Sequence, residues 1–185
     1  MANKPPSQVL LLDIYPTGSC STGLPICVMN KLQEQVALRD PADSGFDLPC
    51  PTGIVVPPHK TVWVKLGVTA TVRRAITYQA PDGTWKMDER SARRLPFWMP
   101  PRSSISKTPL ILHNCIGVID VGYNGELQAA LHNTSDEPYE VQQLQRLVQL
   151  VSGDLTPFYK ITIHSHTEKP EATRRGSGGF GSTGQ

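Results

Sequence analysis

Two short stretches of this 185-residue chain combine residue types that chemistry could use. Pro101-Arg102-Ser103-Ser104-Ile105-Ser106-Lys107 concentrates cations, hydroxyls and backbone N–H groups. Such groups at that density suit a cradle for phosphate oxygens; a surface turn would have the same composition. Gly117-Val118-Ile119-Asp120 sets a carboxylate directly after an apolar β-branched pair. A partly buried carboxylate beside an anion site can serve as a general base; a strand-end aspartate can equally cap a turn.

Other chemistries fall away on pattern. The chain has no Gly-x-x-x-x-Gly-Lys-Ser/Thr phosphate loop and no Gly-x-Ser-x-Gly nucleophile elbow. His164-x-His166 puts two imidazoles on one strand face, but no third zinc ligand is evident. Gly178-Gly179-Phe180-Gly181 resembles a phosphate loop only loosely, because such loops lead into a helix and this stretch runs to Gln185. By itself the tail reads as a linker-like end. Cys20, Cys27, Cys50 and Cys115 form no Cys-x-x-Cys and read as free thiols.

The elements that must position these groups read as short strands. Val62, Val64, Leu66 and Val68 alternate with Trp63, Lys65 and Gly67, the period of a half-buried strand. Ile26-Cys27-Val28-Met29 is read as a first strand. Ile116 to Asn133 is read as two strands around the turn Gly122-Tyr123-Asn124-Gly125, and Asp82-Gly83 as a hairpin turn. Ile161 and Ile163 mark another strand. Leu144, Leu147, Val148 and Val151 fit helical spacing and a buried strand equally. Pro49, Pro51, Pro57 and Pro58 exclude a long helix around them. Many short strands with abundant Pro and Gly imply an all-β sandwich or barrel.

Bulk properties narrow the function classes. Lys+Arg 18 against Asp+Glu 16 is nearly balanced, so neither stable nucleic-acid binding nor a polybasic membrane patch is expected. No apolar run reaches the roughly 20 residues that cross a bilayer, and Val9-Leu10-Leu11-Leu12 lacks the flanks of a signal peptide. An intracellular protein is expected, with cytoplasm and nucleus not distinguished.

Five segments, taken in order, resemble the motifs of the trimeric dUTPase family. They are Ala42-Asp43-Ser44-Gly45-Phe46-Asp47-Leu48, then Pro101-Arg102-Ser103-Ser104, then the run from Asn114 through Gly125-Glu126, then Arg146-Leu147-Val148-Gln149-Leu150, and last Arg175 to Gly184. The match spans roughly residues 26–184, and its third and fifth motifs are specific. The Pro101–Pro109 version of the second motif resembles members from large DNA viruses.

The resemblance implies a jelly-roll-like β-barrel, a homotrimer with active sites at subunit boundaries, and Mg²⁺-dependent hydrolysis of dUTP to dUMP and pyrophosphate. It divides the chain into an N-terminal extension (1–24), a β-core (25–168) with an insertion around 70–98, and a C-terminal arm (169–185) that closes over the site. It makes Asp120 the general base. Asn114, with the Gly117 and Ile119 backbone, would read uracil's polar edge, and the tight hairpin would exclude a 5-methyl group. Tyr123 would pack on the deoxyribose and crowd out a 2′-OH. Arg102, Ser103, Ser104, Arg146 and Gln149 would belong to the phosphate grip, and Asp47 would hold Mg²⁺ through water. From the arm, Phe180 would stack on uracil, Arg175 would meet the terminal phosphate, and Gly181, Ser182 and Thr183 would add contacts.

The sequence also departs from the family. Leu144-Gln145 stand where Gly-Asp commonly precedes the fourth motif's Arg, and Gly122 stands where many members have an acidic residue. The related dCTP deaminases would need a catalytic Glu where this chain has Ala130. A non-catalytic interaction protein of the same fold is the other alternative, prompted by residues 1–24 and 70–98.

Overall fold

The computed structural model describes residues 7–17 and 25–178. Its elements are β1 (Gln8–Pro16), α1 (Ile26–Leu38), β2 (Gly45–Pro49), β3 (Ile54–Val56), β4 (Thr61–Lys65), β5 (Val68–Gln79), β6 (Trp85–Leu95) and β7 (Phe97–Met99). After a short 3₁₀ turn (Ser103–Lys107) come β8 (Leu110–Leu112), β9 (Gly117–Ile119), β10 (Gln128–Asn133), β11 (Tyr139–Val141), β12 (Arg146–Ser152) and β13 (Phe158–Ile163). The expected all-β class holds, with one helix added.

The strands form sheets in the orders β13-β1-β5-β6, β4-β10-β8, β11-β3 and β2-β12-β7-β9. One main core joins them, centred on fully buried side chains such as Leu12, Ile14, Leu32, Leu48, Leu131 and Phe158.

Three expectations need correction. The described part of the expected N-terminal extension, residues 7–17, belongs to the fold itself. β1 sits inside its sheet, parallel to β13 and antiparallel to β5. Leu10, Leu12 and Ile14 enter the main core, while Val9 and Leu11 pack with Ala75 in a second cluster. A strand buried on both faces loses the alternation that would announce it.

The stretch 26–29 opens a helix instead of a strand. Val28, Met29 and Leu32 are buried and Val36 packs against the core, so one face of α1 is apolar at helical spacing. A four-residue window cannot register that period; a thirteen-residue one does.

The two strands flanking the 122–125 turn do not pair with each other. β9 joins β7, and β10 joins β4 and β8. The turn thus bridges two sheets, which lets the carboxylate after β9 face a cavity between them.

The 70–98 region is a β5–β6 hairpin turned at Asp82-Gly83, where Gly83 has φ 80°. Only its distal part projects; Ala70, Val72 and Ala75 are buried at its base. Buried Asp13 on β1 accepts from Arg73 Nε at 2.8 Å and contacts His164 Nε2 at 3.1 Å. Tyr15 stacks on His164 with centroids 4.1 Å apart. The two histidines read as a strand feature are thus not a pair: His164 fastens β1 to the end of β13. Of the ambiguous 144–151 stretch, Arg146 onward is strand β12, with Leu147, Val148, Leu150 and Val151 buried, and Leu144 lies in the turn before it.

Candidate active site

Cross-strand register in the β2-β12-β7-β9 sheet builds the first half of the site. Asp47 on β2 stands opposite Gln149 on β12. Directly opposed side chains of one pair share a sheet face. On the other side of β12, the Gln149 N–H donates to the Pro100 carbonyl at 3.1 Å and the Arg102 N–H to the Leu147 carbonyl at 2.8 Å. The second motif therefore extends the sheet and delivers the Arg102 side chain to Asp47.

The Asp47 carboxylate joins two guanidiniums. Arg102 Nε lies 2.7 Å from Oδ1, and Arg146 Nη1 lies 3.1 Å from Oδ2. Arg102 Nη1 also donates to Ser104 Oγ at 3.0 Å and to the Arg146 carbonyl at 3.1 Å. Gln149 Nε2 donates to the Pro101 carbonyl at 3.3 Å. Gly45 leaves room for it: a Cβ there would run into the Gln149 amide oxygen and make that side chain shift. Gly45, Asp47, Arg102, Arg146 and Gln149 line a cavity of about 400 Å³ together with Ser103, Asp43 and one face of α1. Two guanidiniums held side by side by one carboxylate match the geometry of phosphate oxygens.

Leu144 answers the fourth-motif departure. It adopts φ 66°, the left-handed conformation that glycine takes most easily. Its N–H donates to the Cys50 carbonyl at 2.9 Å, and the Cys50 N–H donates to the Gln145 carbonyl at 2.9 Å. The entering turn is kept without glycine, and Arg146 reaches the cavity.

The second half hangs on β9, at the opposite edge of the same sheet. Asn114, Gly117, Ile119, Asp120, Tyr123 and Arg175 line a cavity of about 180 Å³, closed by Met99, Val118, Leu127 and Gln128. Gly117 faces Met99 across the β7–β9 pair; a Cβ there would sit 3.3 Å from Met99 Cβ. Tyr123 folds back over Gly125, which has no side chain to block it, and its hydroxyl donates to the Glu126 carbonyl at 3.1 Å. Burial, then Glu126, pushes the Tyr123 phenol above its usual pKa, against an opposing effect of Arg175.

Asp120 is half exposed at the rim and paired with Arg175, Nη2 to Oδ2 at 2.8 Å. Arg175, expected on the terminal phosphate, thus lies in this cavity and not among Arg102 and Arg146. The start of the arm is pinned nearby. Asn124 donates its N–H to the Gly176 carbonyl at 2.8 Å and its Nδ2 to the Glu171 carbonyl at 2.8 Å. Thr173 Oγ1 donates to the Gly122 carbonyl. A Cβ on Gly122, which has φ 84°, would sit 3.2 Å from Thr173 Cβ. Phe180, Gly181, Ser182 and Thr183 lie outside the described residues.

Sequence reasoning missed Lys31 and Gln35 of α1 and Arg39 just after it on the first cavity, and Arg94, whose Nη2 donates to the Glu171 carbonyl at 2.9 Å. The helical spacing of Val28, Leu32 and Val36 could have revealed the first group; no local signal marks the second. Ala130 is buried on β10 and has no proton to shuttle.

Among the described residues, no three His, Cys, Asp or Glu side chains group as a metal cage. Asp47, ion-paired with Arg102 and Arg146, is the one carboxylate among them that would hold, through water, an ion arriving on a polyanion, which is the habit of Mg²⁺. Among the described residues, no helix is long and apolar enough to cross a membrane.

A small pocket with a carboxylate at its rim and a separate arginine cavity suit an enzyme acting on a phosphate-bearing substrate. Comparison with known proteins narrows that class. The dUTPase family model matches residues 92–184. A deoxyuridine 5′-triphosphate nucleotidohydrolase of Picosynechococcus sp. is 35% identical over 143 residues, covering 77% of this chain and 84% of that one. The enzyme of that name from Bordetella pertussis is 30% identical over 152 residues, covering 80% and 87%. One from Escherichia phage T5 is 39% identical over 84 residues, covering 45% and 55%. The chain belongs to the dUTPase family. It is an enzyme of that family's jelly-roll-like β class, and the family in general depends on Mg²⁺.

Proposed function

We propose that this chain hydrolyses dUTP to dUMP and pyrophosphate by attack of water on the α-phosphorus, with Asp120 as general base. The observation that carries the reading is Asp120 at the rim of the cavity that Asn114, Gly117, Ile119 and Tyr123 line. Asp120 takes a proton from water, the water oxygen bonds to the α-phosphorus, and the bond to the bridging oxygen breaks. Pyrophosphate leaves with that electron pair. A positioned base contributes about 10²–10⁴-fold to such a step.

Asn114 and the backbone at Gly117 and Ile119 meet the polar edge of uracil, and the narrow cavity leaves no room for a 5-methyl group. Tyr123 covers the deoxyribose and crowds a 2′-OH. Arg102, Ser103, Arg146 and Gln149 hold phosphate oxygens, and Ser104 braces Arg102. Asp47 orients the arginines and would hold Mg²⁺ through water, which would supply positive charge to offset that of the phosphates. Arg175 leaves Asp120 for the triphosphate, and Phe180, Gly181, Ser182 and Thr183 close over the base. Hydrolysis keeps uracil out of DNA and supplies dUMP for thymidylate synthesis.

The working form is a homotrimer. Support comes from the two cavities, which have no lining residue in common and hang on opposite edge strands of one sheet. Adjacent strands are about 4.8 Å apart, so the two edges are well separated, and in the trimer that the family resemblance implies a second copy would bring the two kinds of cavity together.

The test is incubation with Mg²⁺ and, separately, dUTP, dCTP, dTTP and UTP, with product identification. Only dUTP yields a monophosphate and pyrophosphate. Turnover of dTTP or UTP refutes the exclusion by shape, and absence of dUTP turnover refutes the activity.

A further inference from the structure

Helix α1 presents two faces. Val28, Met29 and Leu32 are buried against the sheets. Lys31, Gln35 and Leu38 recur at i, i+4 and i+7 on another face and line the arginine cavity, with Arg39 just past the helix end. Gln35 holds the central place. Its Oε1 accepts from Arg146 Nη1 at 3.3 Å, and its Nε2 approaches the Asp47 carbonyl at 3.4 Å. Arg146 Nη1 therefore lies between the Asp47 carboxylate and the Gln35 amide.

We infer that α1 is a wall of the triphosphate site and that Gln35 is a positioning residue, setting the Arg146 guanidinium toward bound phosphate. This deepens the proposed function and rests on its assignment of the arginine cavity to the phosphates.

The chemistry follows from the donor inventory. A planar guanidinium gains its strength on phosphate only when its fork is held in the right plane. One acceptor at a single nitrogen leaves it free to pivot, and a second acceptor on the same nitrogen restricts that motion. An amide suits this place better than a carboxylate. It accepts from Arg146 and offers an N–H to the Asp47 carbonyl without adding a negative charge beside a polyanion. Lys31 on the same wall is paired at 2.9 Å with Glu34, which lines the cavity too, so the pair adds no net charge there.

The experiment compares the full-length protein with Gln35→Ala, Gln35→Glu and Gln33→Ala, the last on an exposed helical residue outside the cavity. Three quantities are measured: KM and kcat for dUTP with Mg²⁺, affinity for inorganic tripolyphosphate, and affinity for deoxyuridine. For Gln35→Ala, KM rises about tenfold, the size of one lost charge-assisted contact, and tripolyphosphate affinity falls in parallel. Deoxyuridine affinity and the thermal midpoint stay at the wild-type values. Gln35→Glu is worse than Gln35→Ala at low salt, because the added charge repels the polyanion. Gln33→Ala matches the wild type throughout.

Wild-type KM and tripolyphosphate affinity in Gln35→Ala overturn the inference. So does an equal loss of deoxyuridine affinity, which would mark a merely structural role. If the wild type binds tripolyphosphate in a Gln35-dependent way but does not turn over dUTP, the activity fails and the helix wall stands.

Discussion

Arg175 Nη2 lies 2.8 Å from Asp120 Oδ2, so the first residue of the fifth motif holds the carboxylate of the third. Both side chains are well exposed, 38% and 51%, and an exposed ion pair of this kind contributes about 0–1 kcal/mol. A triphosphate offers Arg175 more charge and more acceptors than one carboxylate. On the proposed function, substrate arrival would free Asp120 and recruit Arg175 in one exchange.

Asp120→Asn separates these roles. Turnover falls about 10²–10⁴-fold, the usual contribution of a general base. Affinity for a non-hydrolysable dUTP analogue stays within a few-fold of wild type, because the side chain acts on water. Calorimetry showing lost binding would remove Asp120 from its assigned role.

Ending the chain at Arg174 removes the ion pair and the Gly176 contact to Asn124. Activity on dUTP falls about 10²-fold or more, the scale of lost positioning. The melting temperature moves by only a few degrees, since the core is untouched. Full activity of the shortened protein would overturn the arm's role.

Gly45→Ala drives a methyl group into the Gln149 amide. Gln149 must swing away from the arginine cavity, and KM for dUTP rises about tenfold or more for the lost contact to charged phosphate. The same substitution at Gly83, with nothing within 4 Å but φ 80°, lowers stability and leaves KM alone. Steady-state kinetics on both variants distinguish the two effects.

Leu155 is 61% exposed and has φ 60°. A branched side chain in the left-handed region costs about 1–2 kcal/mol, and little burial is lost on removing this one. Leu155→Gly therefore raises stability by about 1 kcal/mol, measured as a shift in urea midpoint at unchanged slope. Leu144 shares the conformation but packs against the core, so Leu144→Gly gives a smaller gain or a loss.

Glu168 carries the clearest pH signature. The hydrogen bond from His164, then those from Ser165, pulls its carboxyl down from 4.5 to about 2. A depressed folded-state value means that its contribution is complete above the unfolded value near 4.5 and is lost as pH falls through about 2. The stability difference between wild type and Glu168→Gln is constant at neutral pH and shrinks between pH 4.5 and 2. A difference that grows on acidification would contradict the sign.

The residue types of the site were legible in the chain itself. Arg102 and Ser103 in one run and Asp120 after an apolar pair both face the cavities for which their chemistry suits them. The Val62–Val68 alternation and the Asp82-Gly83 turn were legible too, because local period and turn chemistry are properties of neighbouring residues. The tertiary structure alone decided that β1 runs through the middle of a sheet, since a strand buried on both faces has no alternation to read. It alone set Asp47 between Arg102 and Arg146, because strand register is chosen by packing across the whole core. Gln35 and Arg146 are 111 residues apart and meet only because α1 lays its apolar face on the sheets and turns its polar face to the cavity. A sequence records periods along one dimension; which side chains share a cavity is settled by the contacts that bury those periods.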